Sequence, residues 1–341
     1  MVSRREFLKM AASATTFAAA PVADAAMIMH KEEGTPDQIV GLFEHLPGDK
    51  AFKILAPAPR GRPKFQAQLN SDRMLFAASA IKTFVLCEAL RQIDSPAVID
   101  KLGKTEMGLD SSVWSLGSPT FNPPDLKGTV LERATLEAMI TSSDNTATDM
   151  MFKLAGVDNV RKFIDSAGLT LTLVPESTRA FAAYVFGAEN YKTITWEELL
   201  KVVQKGDIVH PFLNNVESLA SSADDFVSYY SRALRGKFFK HRETLNEFRR
   251  ILTLCDFIYL VPLPRGVSAF AKSGNADTVG FHARLIAGGL FFSDQWVFFA
   301  FIINWYAESL DDSRTVDQFF SAINRALTLV RNSVSGGCDS A

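Results

Sequence analysis

The chain has 341 residues, 47% hydrophobic and 22% charged, which is typical of a globular protein with one large domain or two small ones. Its net charge of −2 does not provide the basic surface that nucleic-acid binding requires, so no nucleic-acid partner is expected. After residue 26 the longest apolar stretch is Leu285–Trp305, which Ser293 and Asp294 interrupt, so it predicts two buried strands rather than a membrane span.

Residues 1–25 carry an export pattern. Ser3-Arg-Arg-Glu-Phe-Leu-Lys9 matches a twin-arginine signal, an uncharged alanine-rich segment follows, and Ala23-Asp-Ala25 is a small-x-small cleavage site. We therefore expect the twin-arginine machinery as a partner, a mature chain of residues 26–341, and a periplasmic or secreted location in a bacterium.

The first half of the mature chain alternates strand and helix signals. Two strand patterns flank a turn rich in proline and glycine, and a helix pattern starts at Ser79 and ends near Ile93. A polar segment precedes a helix that ends near Ile140. Two short helices follow, the second expected to be capped by Asp158 and stopped by Gly168. These segments are 50–57, 64–71, 105–128 and 146–167.

The last third predicts an antiparallel meander followed by an amphipathic helix. Its three strand patterns are rich in β-branched and aromatic residues and joined by short turns: 267–273, 279–292 and 295–305. The economical arrangement is an α+β sandwich, in which strands from both ends form one five-stranded antiparallel sheet flanked by helices. The sheet lobe is expected at about 40–78 and 225–334, and an all-helical lobe at about 79–224.

Three short motifs occur in order: Ser79-Ala-Ile-Lys82, Ser143-Asp-Asn145 and Lys272-Ser-Gly274. A serine needs a base within hydrogen-bond reach to become a nucleophile, and a lysine three residues later lies on the same helix face. Lys82 must be neutral to accept the proton, and both burial and a nearby cation such as Lys272 would lower its pKa.

The other motif residues fit the same chemistry. Ser79 begins a helix, so its amide points at a developing oxyanion. Ser143 would relay the proton to the leaving group, Asn145 would hold a substrate amide, and Lys272, on a strand edge, would attract a substrate carboxylate. Each motif alone also has a structural interpretation: Ser79 and Ser143 as helix caps, and Lys272 as an edge-strand charge.

Rival chemistries lack support. The sequence contains no G-x-S-x-G or H-E-x-x-H string, and its five histidines have no metal-ligand spacing, so neither a metal nor another cofactor is expected. The three cysteines cannot all pair, and Cys87, inside an apolar helix pattern, is predicted to be a small core residue.

The motifs, their order and the flanking Leu136–Asn145 segment resemble class A β-lactamases and related penicillin-binding proteins over roughly residues 35–341. The resemblance implies that Ser79 is acylated, that Lys82 activates it, and that Ser143 and Asn145 relay the proton and contact substrate. It implies an oxyanion hole from the backbone amides of Ser79 and Asn275. The substrate-binding set would be Asn145, Lys272, Ser273, Gly274 and Asn275.

The chain also departs from that family. No E-x-x-L-N glutamate follows the second motif; Glu176, in Pro-Glu-Ser-Thr-Arg, is the candidate deacylation base, and Glu197 is a weaker match. For both, a solvated surface glutamate is the favoured interpretation, because glutamates are mostly exposed. Extra residues lie roughly between 180 and 222, and the family's disulfide partner for Cys87 is missing. In the family an arginine on the strand after the third motif often helps to hold the substrate carboxylate. Arg284 or His282 is the candidate for that role here.

These features predict a monomeric serine hydrolase that forms an acyl-enzyme on a β-lactam or a related amide or ester. A cell-wall D,D-peptidase or esterase of the same superfamily, acting on a peptidoglycan-like substrate, remains an alternative because the usual glutamate is absent. A periplasmic binding protein without turnover is the alternative from another class. For β-lactams, turnover is expected to be slow compared with acylation, whereas esters that deacylate readily could turn over regardless.

Overall fold

A computed structural model describes residues 34–58, 64–255, 267–292 and 294–335. The predicted signal peptide lies outside the described residues. Within them, no helix combines the length and the apolar character that crossing a bilayer would need. The segment Leu285–Trp305 instead forms most of an antiparallel strand pair, as predicted.

The centre of the fold is a five-stranded antiparallel sheet. Its strands are β1 (Asp49–Ala56), β2 (Phe65–Leu69), β7 (Ser268–Thr278), β8 (Phe281–Phe292) and β9 (Gln295–Trp305). They lie in the order β2-β1-β9-β8-β7. The central strand β9 is almost completely buried and correspondingly apolar, because helices cover both sheet faces.

One sheet face is covered by helices from the two ends of the described chain. Helix α1 (Pro36–Glu44) begins with a capping box made by Thr35 and Gln38, with proline in the first turn. Helix α11 (Ser313–Ser335) packs beside it. Phe43 of α1 contacts the sheet through Phe52 and Phe301, whose ring centroids lie 4.7 and 5.5 Å from its own.

The opposite face carries the helical part of the molecule. Helix α2 (Lys82–Gln92) is its core: residues 82–90 are all buried. The remaining elements are two short strand pairs, β3 (Leu75–Phe76) with β6 (Ala220–Ser221) and β4 (Glu106–Leu109) with β5 (Gly128–Leu131), and the helices α3 (Val98–Leu102), α4 (Glu132–Thr141), α5 (Asn145–Ala155), α6 (Val157–Ser166), α9 (Ala223–Ala233) and α10 (Arg242–Leu252).

The predicted α+β architecture is confirmed, and most of the elements that were predicted lie within a few residues of their expected bounds. The cap predicted for the second short helix is wrong. Gly156, with φ +79°, is the residue before α6 and makes no side-chain cap, whereas Asp158 lies in the first turn. A carboxylate there still favours the positive end of the helix dipole.

The segment predicted to hold extra residues, roughly 180–222, lies largely within residues 174–219, which are here called the insertion. Its two ends are held together because Leu173 and Ala220 pair across a β-bridge. Inside it lie α7 (Thr178–Val185) and α8 (Trp196–Gln204), and Thr195 opens α8 with a second capping box. Trp196 and Leu199 of α8 pack with Ala183 of α7 in a small apolar cluster of their own.

Candidate active site

Ser79 lies in a tight turn at the start of α2. The turn is a 3-10 helix, Ala78–Ile81, and it is entered through Ala78 in a left-handed conformation with φ +48°. A non-glycine residue adopts this conformation only where its surroundings enforce it. The backbone N–H of Ala77, donating to Leu219 O at 2.7 Å, provides one such anchor. Ser79 itself is half-buried at the surface of this turn.

Lys82 brings the first two motifs together. It is fully buried, and its Nζ donates to Ser143 O at 2.5 Å, to Asn145 Oδ1 at 2.6 Å and to Ser143 Oγ at 3.3 Å. Lys82 thus sits between the Ser79 turn and the Ser143 hydroxyl. The ammonium is compensated by three oxygens, as burial of a charge requires.

Asp144 fixes the loop that carries these oxygens. Its carboxylate caps α5 through Ala147 N at 2.8 Å and accepts from Thr120 N and Phe121 N, each at 2.9 Å. Burial raises the pKa of Asp144, against the opposing effect of these donors and Lys82. Ser143, one residue earlier, is held at φ +56°, another left-handed non-glycine position. The conformation of this loop is therefore fixed by the backbone hydrogen bonds to Asp144, and not by Ser143 alone.

Asn145 is oriented from both ends of its amide. Its Oδ1 accepts from Lys82, and its Nδ2 donates to Leu116 O at 2.7 Å. The second Nδ2 hydrogen is the donor that a substrate carbonyl could use.

The third motif lies on β7, the edge strand of the sheet, as predicted for Lys272. Gly274 passes so close to the Ser79 turn that a Cβ there would lie 2.2 Å from Ala77 O and 3.1 Å from Ser79 N. Only glycine allows this approach. It brings the strand to the Ser79 turn just before Asn275, whose backbone amide is the second one expected in the oxyanion hole.

Side chains alternate along β7. Lys272 shares the Gly274 face, towards the helical part, and is fully buried. Ser273 and Asn275 belong to the other face. Ser273 is 3% exposed, and its Oγ lies 3.9 Å from the Sγ of the buried Cys255, a contact that sequence reasoning did not foresee.

Arg284 and His282 share a carboxylate partner within the protein. Arg284 makes two bonds of 2.9 Å to the two oxygens of Asp277, and His282 Nδ1 lies 2.9 Å from Asp277 Oδ1. Burial alone would raise the pKa of Asp277, but His282 and Arg284 hold it below its ordinary value. Arg284 pairs across the strands with Asn275, so it lies beside the third motif, with its guanidinium directed to Asp277.

Glu176 lies at the neck of the insertion. Its carboxylate is 42% exposed and 3.2 Å from Arg161 Nη1, and its backbone N–H donates to the buried Glu217 at 2.8 Å. Glu197 is exposed in the first turn of α8. These contacts bind Glu176 to Arg161 and Glu217. Lys82, next to the Ser79 turn, instead binds Ser143 and Asn145.

Asp149 is a buried carboxylate that the sequence interpretation missed. It lies one helical turn after Asn145 on α5 and binds the start of α7: Thr178 N and Thr178 Oγ1, each at 2.7 Å, and Arg179 N at 3.1 Å. Burial raises the pKa of Asp149 to about 6. The i, i+4 spacing from Asn145 was the available signal, since such residues share a helix face.

Similar folds occur among solved structures. A β-lactamase from Sphaerobacter thermophilus DSM 20745 is 18% identical, with 85% of this chain and 93% of that one covered and a TM-score of 0.62. A class A representative from Bacteroides cellulosilyticus DSM 14838 is 18% identical, covering 89% and 100%, with a TM-score of 0.64. An acyl-enzyme complex of a PBP-A mutant with penicillin G is 16% identical, covering 86% and 95%, with a TM-score of 0.60.

At these identities the structures show a shared fold. No curated protein sequence matches the chain. The model of the β-lactamase enzyme family matches residues 61–290, a range that includes Ser79, Ser143 and Lys272. Two thirds of the chain thus match one family model, and the fold agrees with it: the protein belongs to the β-lactamase enzyme family.

Proposed function

We propose that this protein is a serine hydrolase that forms an acyl-enzyme on Ser79 and acts on a β-lactam or a related amide or ester. The observation that carries the proposal is the position of Lys82 Nζ, within 3.3 Å of the Ser143 hydroxyl and one helical turn from Ser79. A buried lysine that contacts one hydroxyl and lies one helical turn from a second serine supports serine activation without histidine.

In the proposed reaction, the Ser79 hydroxyl proton passes to Lys82 while Oγ attacks the carbonyl carbon. Lys82 Nζ contacts three oxygens in this structure, and it accepts the Ser79 proton in its neutral form. Ser143 then carries a proton to the leaving nitrogen or oxygen. The amides of Ser79 and Asn275 stabilise the oxyanion, while Lys272 and Ser273 favour a substrate carboxylate.

Deacylation is the step with the weakest machinery. A general base typically accelerates such a step by roughly 10²–10⁴-fold, and Glu176 is engaged by Arg161. We expect β-lactams to acylate Ser79 faster than the ester is hydrolysed. This favours a D,D-peptidase or esterase as the second candidate function. A chromogenic cephalosporin in rapid-quench kinetics should give a burst near one equivalent followed by slow turnover; fast turnover without a burst would contradict the assignment.

Covalent labelling tests acylation directly. Incubation with a fluorescent penicillin, followed by intact-mass measurement over time, should show one adduct per chain, located on Ser79. Ser79→Ala should lose the adduct, whereas Ser142→Ala, a half-buried serine beside the second motif, should keep it. Absence of any adduct would support the non-catalytic binding protein instead.

We also propose that residues 1–25 direct twin-arginine export, because the complete consensus precedes an apolar segment and a cleavage site. Replacing Arg4 and Arg5 together by lysine should leave full-length protein in the cytoplasm. Normal processing to a chain that starts near Ala26 would show that another route is used.

A further inference from the structure

Four phenylalanines form a cluster next to the candidate active site, here called the aromatic wall (Phe76, Phe181, Phe212 and Phe281). Phe76 contacts the other three, with ring centroids 5.7 Å from Phe181, 5.4 Å from Phe212 and 5.8 Å from Phe281. Phe212 and Phe281 stack at 4.9 Å. The wall joins three separate parts of the chain: the segment before Ser79, the insertion and the β7–β8 hairpin.

Each of these parts connects the wall to the reacting groups. Phe76 comes three residues before Ser79. Phe281 pairs with Thr278 and lies on the sheet face of Gly274, the face that touches the Ser79 turn. Phe181 belongs to α7, whose Thr178 hydroxyl is 3.3 Å from Asn145 O. The wall therefore borders the site at the hairpin end of β7.

The two ends of β7 differ in chemistry. Lys272 and Ser273 precede Gly274 along the strand, and their polar side chains suit an anion. Ala276 and then Phe281 follow Gly274, towards the hairpin turn, and suit an apolar group. A substrate extended along this edge strand would place its carboxylate towards Lys272 and its acyl substituent towards the wall.

Apolar surface is also exposed at the hairpin turn that precedes Phe281. Phe76 is buried, but Phe181, Phe212 and Phe281 each retain accessible surface. Val279, at the hairpin turn, is 61% exposed, and Tyr306, which lies against Gly280 of the same turn, is 70% exposed. Exposed apolar residues contiguous with a candidate site are typical of a binding surface.

We propose that the aromatic wall and the hairpin turn bind the acyl part of the substrate, and that this acyl group is large and apolar. The inference rests on the proposed function, since it concerns the acyl group transferred to Ser79. In the reaction, the ester bond to the leaving alcohol or the amide bond to the leaving amine breaks, Ser79 Oγ bonds the acyl carbon, and water later releases the carboxylic acid.

A series of p-nitrophenyl esters tests this proposal on the mature protein. Acetate, butyrate and octanoate share one leaving group, so nitrophenolate release and the mass of the Ser79 adduct report acylation by each chain length. A buried methylene contributes about fourfold. We expect the second-order rate constant to rise roughly 30-fold or more from acetate to octanoate, after subtraction of labelling in Ser79→Ala.

Substitutions in the wall locate the binding surface. Phe212→Ala should slow acylation by octanoate about tenfold and by acetate less than twofold, because a phenylalanine side chain contributes a large apolar area. Phe239→Ala is the matched control, since Phe239 is also half-buried but packs on Phe248 instead. Phe281→Leu is a milder second variant if Phe212→Ala does not fold.

The outcomes separate the two proposals. Equal rates for all chain lengths at Ser79, or an equal loss for acetate and octanoate in Phe212→Ala, would overturn the apolar acyl site while leaving the serine hydrolase intact. No Ser79 adduct with any ester would overturn the proposed function, and this inference with it.

Discussion

The motif cluster and the insertion are held in place in different ways. Around Ser79, buried charges and close backbone approaches determine every position: Lys82 lies among three oxygens, and Gly274 is within reach of the Ser79 amide. The insertion joins this cluster through its neck, the Asp149 bonds and the aromatic wall. The comparison shows that the motif cluster is fixed by many buried contacts, whereas the insertion is attached at a few points.

The largest effect is expected inside the cluster. Lys82→Met keeps a long side chain but removes the base, so the rate of labelling by fluorescent penicillin should fall roughly 10²–10⁴-fold. Lys153→Met, an exposed lysine on α5, should label at the normal rate. A normal labelling rate in Lys82→Met would show that another group is the base, and would contradict the assignment of the acylation chemistry to this cluster.

Gly274→Ala tests the close approach of β7. The added Cβ would lie 2.2 Å from Ala77 O, so the strand or the Ser79 turn must move, and acylation should fall by more than about tenfold, with a cost in stability of roughly 1–3 kcal/mol. Gly41→Ala, in α1 with open space around it, should instead be stabilising by roughly 0.5–1 kcal/mol. Labelling kinetics and thermal unfolding measure both effects.

Asp149→Asn tests the attachment of the insertion through its pH dependence. Burial raises the pKa of Asp149 in the folded state to about 6, from the ordinary aspartate value of 3.8. The favourable contribution of the protonated form is therefore fully present below about pH 4 and is lost as the pH rises through about 6.

Relative to Asp149→Asn, the unsubstituted protein should lose roughly 2–3 kcal/mol of unfolding free energy between pH 4 and pH 7. Denaturant unfolding at several pH values provides the measurement. Parallel curves for the two proteins would show that Asp149 does not titrate in this window.

The smallest effect is expected at Glu176. Because its carboxylate binds Arg161 and is 42% exposed, Glu176→Gln should change the steady-state hydrolysis of a chromogenic cephalosporin less than about twofold. Arg161→Gln serves as the companion variant for the same ion pair. A large fall in the hydrolysis rate of Glu176→Gln but not of Arg161→Gln would identify Glu176 as the deacylation base. The insertion would then contribute a catalytic residue.

The parts of the site that sequence could predict are those set by local spacing. Ser79 and Lys82 lie one turn apart, and the strand pattern placed Lys272 on a sheet edge. The engagement of Arg284 by Asp277 was not predictable, because it depends on which residues the β7–β8 register brings together. The path of the insertion was equally hidden, since Leu173 and Ala220 meet only through tertiary structure.

The sheet order has a consequence for how the polypeptide could be rearranged. Gly34 N donates to Ser333 Oγ at 2.9 Å, so the two ends of the described fold touch although 299 positions separate them. A short linker could therefore join these ends, and new termini could open in the exposed stretch after α8, at Lys205 and Gly206. Such a circular permutant would keep β1 paired with β9, and would make them consecutive strands of the sheet along the chain, separated by α11, the linker and α1.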